Sequence, residues 1–281
     1  MKKLCLGLNG KLGTPEEQLR LMAETGFDAY FDGGNDLSRL QSAKEEADRL
    51  GLVHRSLHAP FGKAAAMWHG NKEESEAAVK ELLTSLDCAA RTGAPTVVVH
   101  AFIGFDTHDP NAQGIETYGR VVRRAEELGL KLALENTEGE EYLASLMNAF
   151  RGEKQVGFCL DTGHEMCYNE GRDLLALYGS RLIATHLNDN LGVGKPGHIT
   201  WLDDLHLLPF DGIADWEKIV SRLKNSTCPE YLTFELNTAS KPGRHENDVY
   251  AAMAPRDYLS LVYERACRVR DLFREGTASR V

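Results

Sequence analysis

The segment 156–164, VGFCLDTGH, decides how the rest of this chain is read. Val156, Phe158 and Leu160 are bulky and apolar, while Gly157, Cys159 and Asp161 fall between them. A strand sends alternate side chains to opposite faces, so the bulky set faces one way and Asp161 faces the other, at the strand's C-terminal end. A buried parallel strand reads in this way, as a short apolar run closed by a polar residue.

Seven other runs share that form: KLCLGLN from Lys3, AYFDG from Ala29, VHRSLHAP from Val53, PTVVVHAF from Pro95, KLALENT from Lys131, LIATHLND from Leu182 and YLTFELN from Tyr231. Helical patterns lie between them. Thr14-Pro15-Glu16-Glu17 is a capping box with proline at the first helical position. Val79, Leu82, Leu83, Leu86, Ala89 and Ala90 form an apolar stripe closed by Gly93, and a last helix is expected from about Arg256 to Arg274. Eight strands alternating with helices predict an α/β fold, a (β/α)8 barrel forming one domain over residues 1–281. A doubly wound sheet is the runner-up, but GLNGKLG after the first strand is not its G-x-G-x-x-G fingerprint.

Composition narrows the class. With 32 Lys+Arg and 42 Asp+Glu the net charge is −10, and the balance of apolar and charged residues excludes a disordered, fibrous or staple-dependent chain. No run approaches the roughly 18 apolar residues of a membrane span, and MKKLCLGLNGKLG lacks the apolar core of a signal peptide. Six cysteines without a C-x-x-C pair read as reduced thiols, so the expected location is cytoplasmic. The acidic balance argues against nucleic acid as a partner.

The same parity applies along every strand. Leu132 and Leu134 facing the helices leave Ala133 and Glu135 inside; Ile183, Thr185 and Leu187 outside leave Ala184 and His186 inside. Leu232, Phe234 and Leu236 outside leave Thr233 and Glu235 inside, Val97 and Val99 leave His100, and Leu57 leaves His58. Each of these strands therefore delivers an acid or imidazole to the rim where barrel active sites form. Singly, each would be read as a hydrogen-bonded core histidine or a surface acid. Together in a low-dielectric mouth they call for a cation. Glu135, Asp161, His186 and Glu235 supply three anionic oxygens and one imidazole, a set suited to Mn2+, Mg2+, Co2+ or Zn2+.

At these residues the chain resembles the xylose isomerase-like superfamily of TIM barrels, which includes sugar-phosphate isomerases, epimerases and endonuclease IV. LHAP (His58), VVVH (His100), LALEN (Glu135), CLDTGH (Asp161, His164), THLND (His186), DLHLLPFDGIADW (Asp204, His206) and TFELN (Glu235) carry the resemblance over nearly the whole chain. It implies one metal on Glu135, Asp161, His186 and Glu235. In the nuclease branch His58, His100, His164, Asp204 and His206 join them to hold three zinc ions, so the expected count is one to three per chain. The stretch PFDGIADW looks more like the isomerase branch, with Phe210 where a glycine usually stands.

The leading reading is a metal-dependent isomerase or epimerase of a sugar or sugar phosphate, acting by proton transfer beside a carbonyl through an enediolate. Glu135 and Glu235 would exchange the proton, with His164 orienting or protonating oxygens. The alternatives are a trinuclear-zinc phosphodiesterase acting on abasic DNA and a metal-dependent dehydratase or lyase. Candidate substrate contacts are Trp68 and His69 in the loop after the third strand, with packing an equal alternative for Trp68; Lys195, His198 and Trp201 after the seventh; and Lys241 and Arg244 after the eighth. His54 shares the parity of His58 at the strand's other end and is assigned to structure. The expected partner is a small carbohydrate, and assembly into a homo-oligomer stays open.

Overall fold

The computed structural model describes residues 1–106, 108–195 and 197–274. Eight parallel strands run β1 (Lys3–Gly7), β2 (Ala29–Gly33), β3 (Val53–His58), β4 (Thr96–His100), β5 (Lys131–Glu135), β6 (Val156–Asp161), β7 (Leu182–His186) and β8 (Tyr231–Phe234). They are ordered β7-β6-β5-β4-β3-β2-β1-β8, and the ends meet through a parallel bridge between Leu187 and Phe234. The result is a (β/α)8 barrel.

Around it pack α1 (Pro15–Thr25), α2 (Leu37–Leu50), α3 (Ala64–His69), α4 (Lys72–Thr92), α5 (Ala112–Glu127), α6 (Glu140–Ala149), α7 (Thr162–Cys167), α8 (Leu174–Tyr178), α9 (Trp216–Lys224), α10 (Asp248–Ala251) and α11 (Pro255–Leu272). The expected caps are present. Thr14 Oγ1 accepts from Glu17 N at 3.2 Å while Glu17 Oε2 accepts from Thr14 N at 2.9 Å, and Gly93 closes α4 in the left-handed region at φ 72°. Among the described residues no helix is long and apolar enough to cross a membrane.

Two apolar layers result. The larger lies between strands and helices and takes the residues expected to face outward, such as Val97, Leu132, Phe158 and Phe234. The barrel interior holds smaller groups: Cys5, Ala29 and Phe31 on one side, Val98, Ala133 and Cys159 on the other. Parity alone fails at two bulges. Between β6 and β7 the register jumps from Phe158↔Leu182 to Cys159↔Ala184, so Ile183 turns inward beside Ala184, where a Cβ on Gly157 would lie 2.6 Å from it. Between β2 and β3 it jumps from Tyr30↔His54 to Phe31↔Ser56, which reverses the face of His54 relative to His58. His54 stacks on Tyr30, a residue of the outer layer, at 4.6 Å.

Candidate metal centre

The C-terminal ends of β3 to β8 bring the expected acids and imidazoles to one mouth. Glu135, Asp161, His186 and Glu235 each offer one ligand atom, and these atoms lie within 4.8 Å of one another. His58 and His100 form a second such group with Glu135. His164 and His206 form a third with Asp161, and both present Nε2 to Asp204 Oδ1, at 3.4 and 3.0 Å. Glu135 is the hub: His186 Nδ1 is 2.7 Å from its Oε1, and His58 and His100 Nε2 are 3.1 and 3.4 Å from its Oε2. Glu235 Oε2 lies 3.1 Å from that same His186 Nδ1.

The hydrogen bonds behind these rings show whether a cation fits. His58 Nδ1 faces the Ala59 carbonyl at 2.8 Å, His164 Nδ1 that of Asn136 at 2.9 Å, and His206 Nδ1 that of Glu235 at 3.1 Å. A carbonyl only accepts, so each Nδ1 carries a hydrogen and each neutral ring turns an Nε2 lone pair toward a carboxylate oxygen. Lone pair against lone pair at these distances needs a positive charge, either a proton on the ring or a metal ion between the groups. The donor set therefore fits a divalent cation.

Electrostatics agree. Burial resists charge on Glu135, yet His186, His100 and His58 hold it well below the usual carboxylate range. Burial likewise opposes charge on Glu235, but His186 and His206 keep it at about 2. For Asp161 burial wins and lifts the carboxyl to about 6. Burial depresses His100 to about 4, whereas the carboxylates of Asp204 and Glu235 overcome it at His206 and raise that ring to about 9.

A further set of contacts aims the ligands. Asn188 Nδ2 donates to Asp161 Oδ2 at 2.8 Å, and Asn136 donates to the Asp161 carbonyl and accepts from its N–H. The fully buried Asp189 carboxylate gathers the N–H groups of Phe210 and Ala214 and the Trp216 indole, each at 2.9 Å. That clamp secures the segment following Asp204 and His206, and with Arg268 stacked on its ring Phe210 adopts φ 73°, a left-handed conformation that favours glycine.

Above the ligands opens a pocket of about 450 Å³ lined by His58, His100, His164, Asp204, His206 and Glu235, with Phe61, Tyr168, Trp201 and Lys241 on its walls. Of the expected substrate contacts, Lys241 is in place, 3.3 Å from Asp204 Oδ2. Trp68 is not: it is fully buried, its indole donating to the Ala101 carbonyl, against α5 where Gly114 leaves room for it. His69 is tied to the Tyr142 hydroxyl at 2.8 Å, and Arg244 binds Glu246 at 2.6 Å. Lys195 and His198 are exposed and do not line the pocket. Glu138, which accepts from Gly104 N at 3.1 Å and whose carboxyl is pushed up by burial, also lines the pocket, as do Phe61 and Tyr168, none of which the strand pattern marks. Loop residues of this kind carry no periodic signal in the sequence.

Comparison with known proteins places the chain. Among curated relatives, the uncharacterized protein y4fM of Sinorhizobium fredii is 31% identical over 176 residues, 58% of this chain and 53% of that protein, so the match spans about half its length. A protein named probable endonuclease 4 from Mycobacterium marinum is 26% identical over 238 residues, 79% of this chain and 90% of that protein. Among solved structures, the IOLI protein with a bound zinc atom superposes with TM-score 0.73 at 17% identity, covering 97% of this chain and 98% of that one. D-psicose 3-epimerase in the presence of D-fructose gives 0.71 at 15% identity, covering 97% and 99%. Residues 19–254 match the model of the xylose isomerase-like TIM barrel family, and the chain belongs to that family.

Proposed function

We propose that this protein is a divalent-metal-dependent isomerase or epimerase of a sugar or sugar phosphate. One observation carries the reading: two carboxylates, Glu135 and Glu235, flank His186 Nδ1 at 2.7 and 3.1 Å, Glu235 lining a pocket of about 450 Å³, a size that suits a small polar substrate, and Glu135 buried beneath it. A structural neighbour determined with D-fructose supports the substrate class. Glu135, Asp161, His186 and Glu235 would hold the cation, which supplies Lewis-acid polarisation of substrate oxygens.

The carboxylates are not equivalent. Glu235 is about a quarter exposed and lines the pocket; Glu135 is sealed beneath the histidines. Glu235 is thus the base that removes the proton beside the carbonyl. Epimerisation would need a second proton, delivered to the opposite face by Glu135 in its protonated form while Glu235 keeps the first, and only to a substrate seated directly on the four ligands; return of the first proton by Glu235 to the neighbouring carbon would give isomerisation. His164, whose Nε2 lies 3.4 Å from Asp204 Oδ1 at the wall, orients the substrate oxygens.

Incubating ketoses with the metal-loaded protein in D2O should place deuterium at the carbon next to the carbonyl, and Glu235→Gln should slow that exchange by roughly 10^2–10^4-fold. A different observation favours phosphodiester hydrolysis: nine ligand-type residues converge, and the relatives include proteins named probable endonuclease 4. No exchange with any sugar, together with three bound metals and incision of an abasic duplex, would reverse the assignment. Loss of the hydroxyl with the same deuterium uptake would mark a dehydratase.

A further inference from the structure

We infer that Lys241 is a built-in cation that keeps metal out of the outer cluster of His164, Asp204 and His206, so that divalent metal is confined to the ligands gathered on Glu135. The inference rests on the reading that Glu135, Asp161, His186 and Glu235 hold such an ion. The two groups adjoin at the mouth but differ in what balances their charge. Among the described residues Glu135, Asp161 and Glu235 meet imidazoles and no lysine or arginine. Three carboxylates set so close, with no organic cation among them, suit a divalent ion.

Asp204 is different. His164 and His206 present Nε2 to its Oδ1 at 3.4 and 3.0 Å, and Lys241 Nζ donates to its Oδ2 at 3.3 Å. The ammonium is held there. It lies 5.4 Å from the Trp201 ring centroid, and the lysine side chain is only 19% exposed. A metal ion on Oδ1 would face that ammonium across a single carboxylate, and two positive charges so placed repel strongly where little water screens them. No other lysine or arginine lines the pocket: Arg244 binds Glu246 at 2.6 Å and Lys63 binds Glu81 at 3.2 Å. The chemical consequence is direct. An ammonium donates hydrogen bonds to substrate oxygens, whereas a metal ion in its place would turn a water into a nucleophilic hydroxide. A wall closed to metal by Lys241 suits proton transfer better than phosphodiester hydrolysis.

The test counts metal directly. The full chain is stripped with a chelator and titrated with Zn2+ by calorimetry, and bound zinc is counted by elemental analysis. The set is the wild type, Lys241→Met, Lys241→Arg, Asp204→Asn, and Lys241→Met combined with Asp204→Asn. Methionine keeps most of the length and removes the charge; arginine restores it. Lys241→Met should hold one more equivalent than the wild type, bound at least about tenfold more tightly than the wild type binds any ion beyond its own complement. Lys241→Arg should match the wild type, and the double variant should return to the wild-type count. With Co2+ in place of zinc, the added site should contribute its own visible absorption in Lys241→Met alone. No extra ion in Lys241→Met, or loss of an ion from the wild type on Asp204→Asn alone, overturns the inference. Glu135→Gln separates the two claims. Full metal content in that variant sinks the reading of the inner ligands, while the comparison of Lys241→Met with the wild type still decides the outer cluster.

Discussion

Strand β3 carries two histidines, His54 and His58, whose surroundings are opposite. His58 ends the strand at the mouth, with Ala59 behind it and Glu135 in front. His54 begins it in the outer layer, flat against Tyr30, and among the described residues neither of its ring nitrogens makes a hydrogen bond of good geometry. Burial opposes charge on both. At His58 the Glu135 carboxylate outweighs it and raises the ring, while at His54 burial prevails and lowers it to about 4. Their pH effects on stability therefore have opposite signs. The His58 contribution is complete below the unfolded value near 6.5 and fades as pH rises; the His54 contribution is complete above that value and is lost as pH falls toward about 4. The mouth is polar because its groups answer one another around a charge, and the wall tolerates a polar residue only while it stays neutral.

The largest expected break falls at the hub of the mouth. Glu135→Gln keeps the shape but removes the anion shared by His58, His100 and His186. Metal affinity, measured by chelator competition, should fall by more than the roughly 100-fold that losing an outer contact costs, and turnover should fall with it. Full metal content in this variant would detach Glu135 from the site.

On the wall, removing the polar group should help. His54→Phe fits the same stack on Tyr30 without a titrating nitrogen. The drop from 6.5 to about 4 corresponds to about 3 kcal/mol of stability that the native protein forfeits in acid. Urea unfolding should show the variant gaining most of that at pH 4 relative to pH 8; an equal difference at both pH values would show that His54 does not titrate on unfolding. Between these extremes lies Asn188→Ala, which removes the donor to Asp161 Oδ2 without touching a ligand. It should weaken metal binding by roughly 10–100-fold and leave the fold intact by circular dichroism.

Most of this contrast was legible in the sequence, because a strand's period of two is a rigid rule and the bulky residues of KLALE, VGFCLD and YLTF allow only one phase. That rule brings Glu135, Asp161, His186 and His58 to one rim. It fails where the backbone inserts a residue, at Ile183 and just before Ser56, because a bulge leaves no mark in hydrophobic pattern. Parity puts His54 on the same face as His58, and the bulge turns it to the other. For Trp68 the sequence leaves packing and substrate contact open, because its burial against Gly114 depends on a helix far along the chain; the structure packs it in α3. Phe61, Tyr168 and Glu138 escaped for the same cause, since only the assembled barrel makes them neighbours.

The smallest effect sharpens the comparison most. The Tyr30 hydroxyl is buried and, like the nitrogens of His54, has no well-formed hydrogen bond among the described residues. An unpaired buried hydroxyl costs what water would have supplied, so Tyr30→Phe should be neutral or stabilising by about 1 kcal/mol, read as a shift in the urea midpoint with unchanged slope. At the mouth, deleting an atom such as Glu135 Oε1 or Oε2 is costly because imidazole nitrogens face both of them. If Tyr30→Phe instead lost 1 kcal/mol or more, the hydroxyl would be bonded in solution, through a bridging water, and the outer layer would hold a polar pair of its own. Combining it with His54→Phe then decides the matter. Additive gains mean two independent groups that burial merely tolerates, whereas a coupling beyond about 0.5 kcal/mol means the two act as one buried unit, as the ligands do.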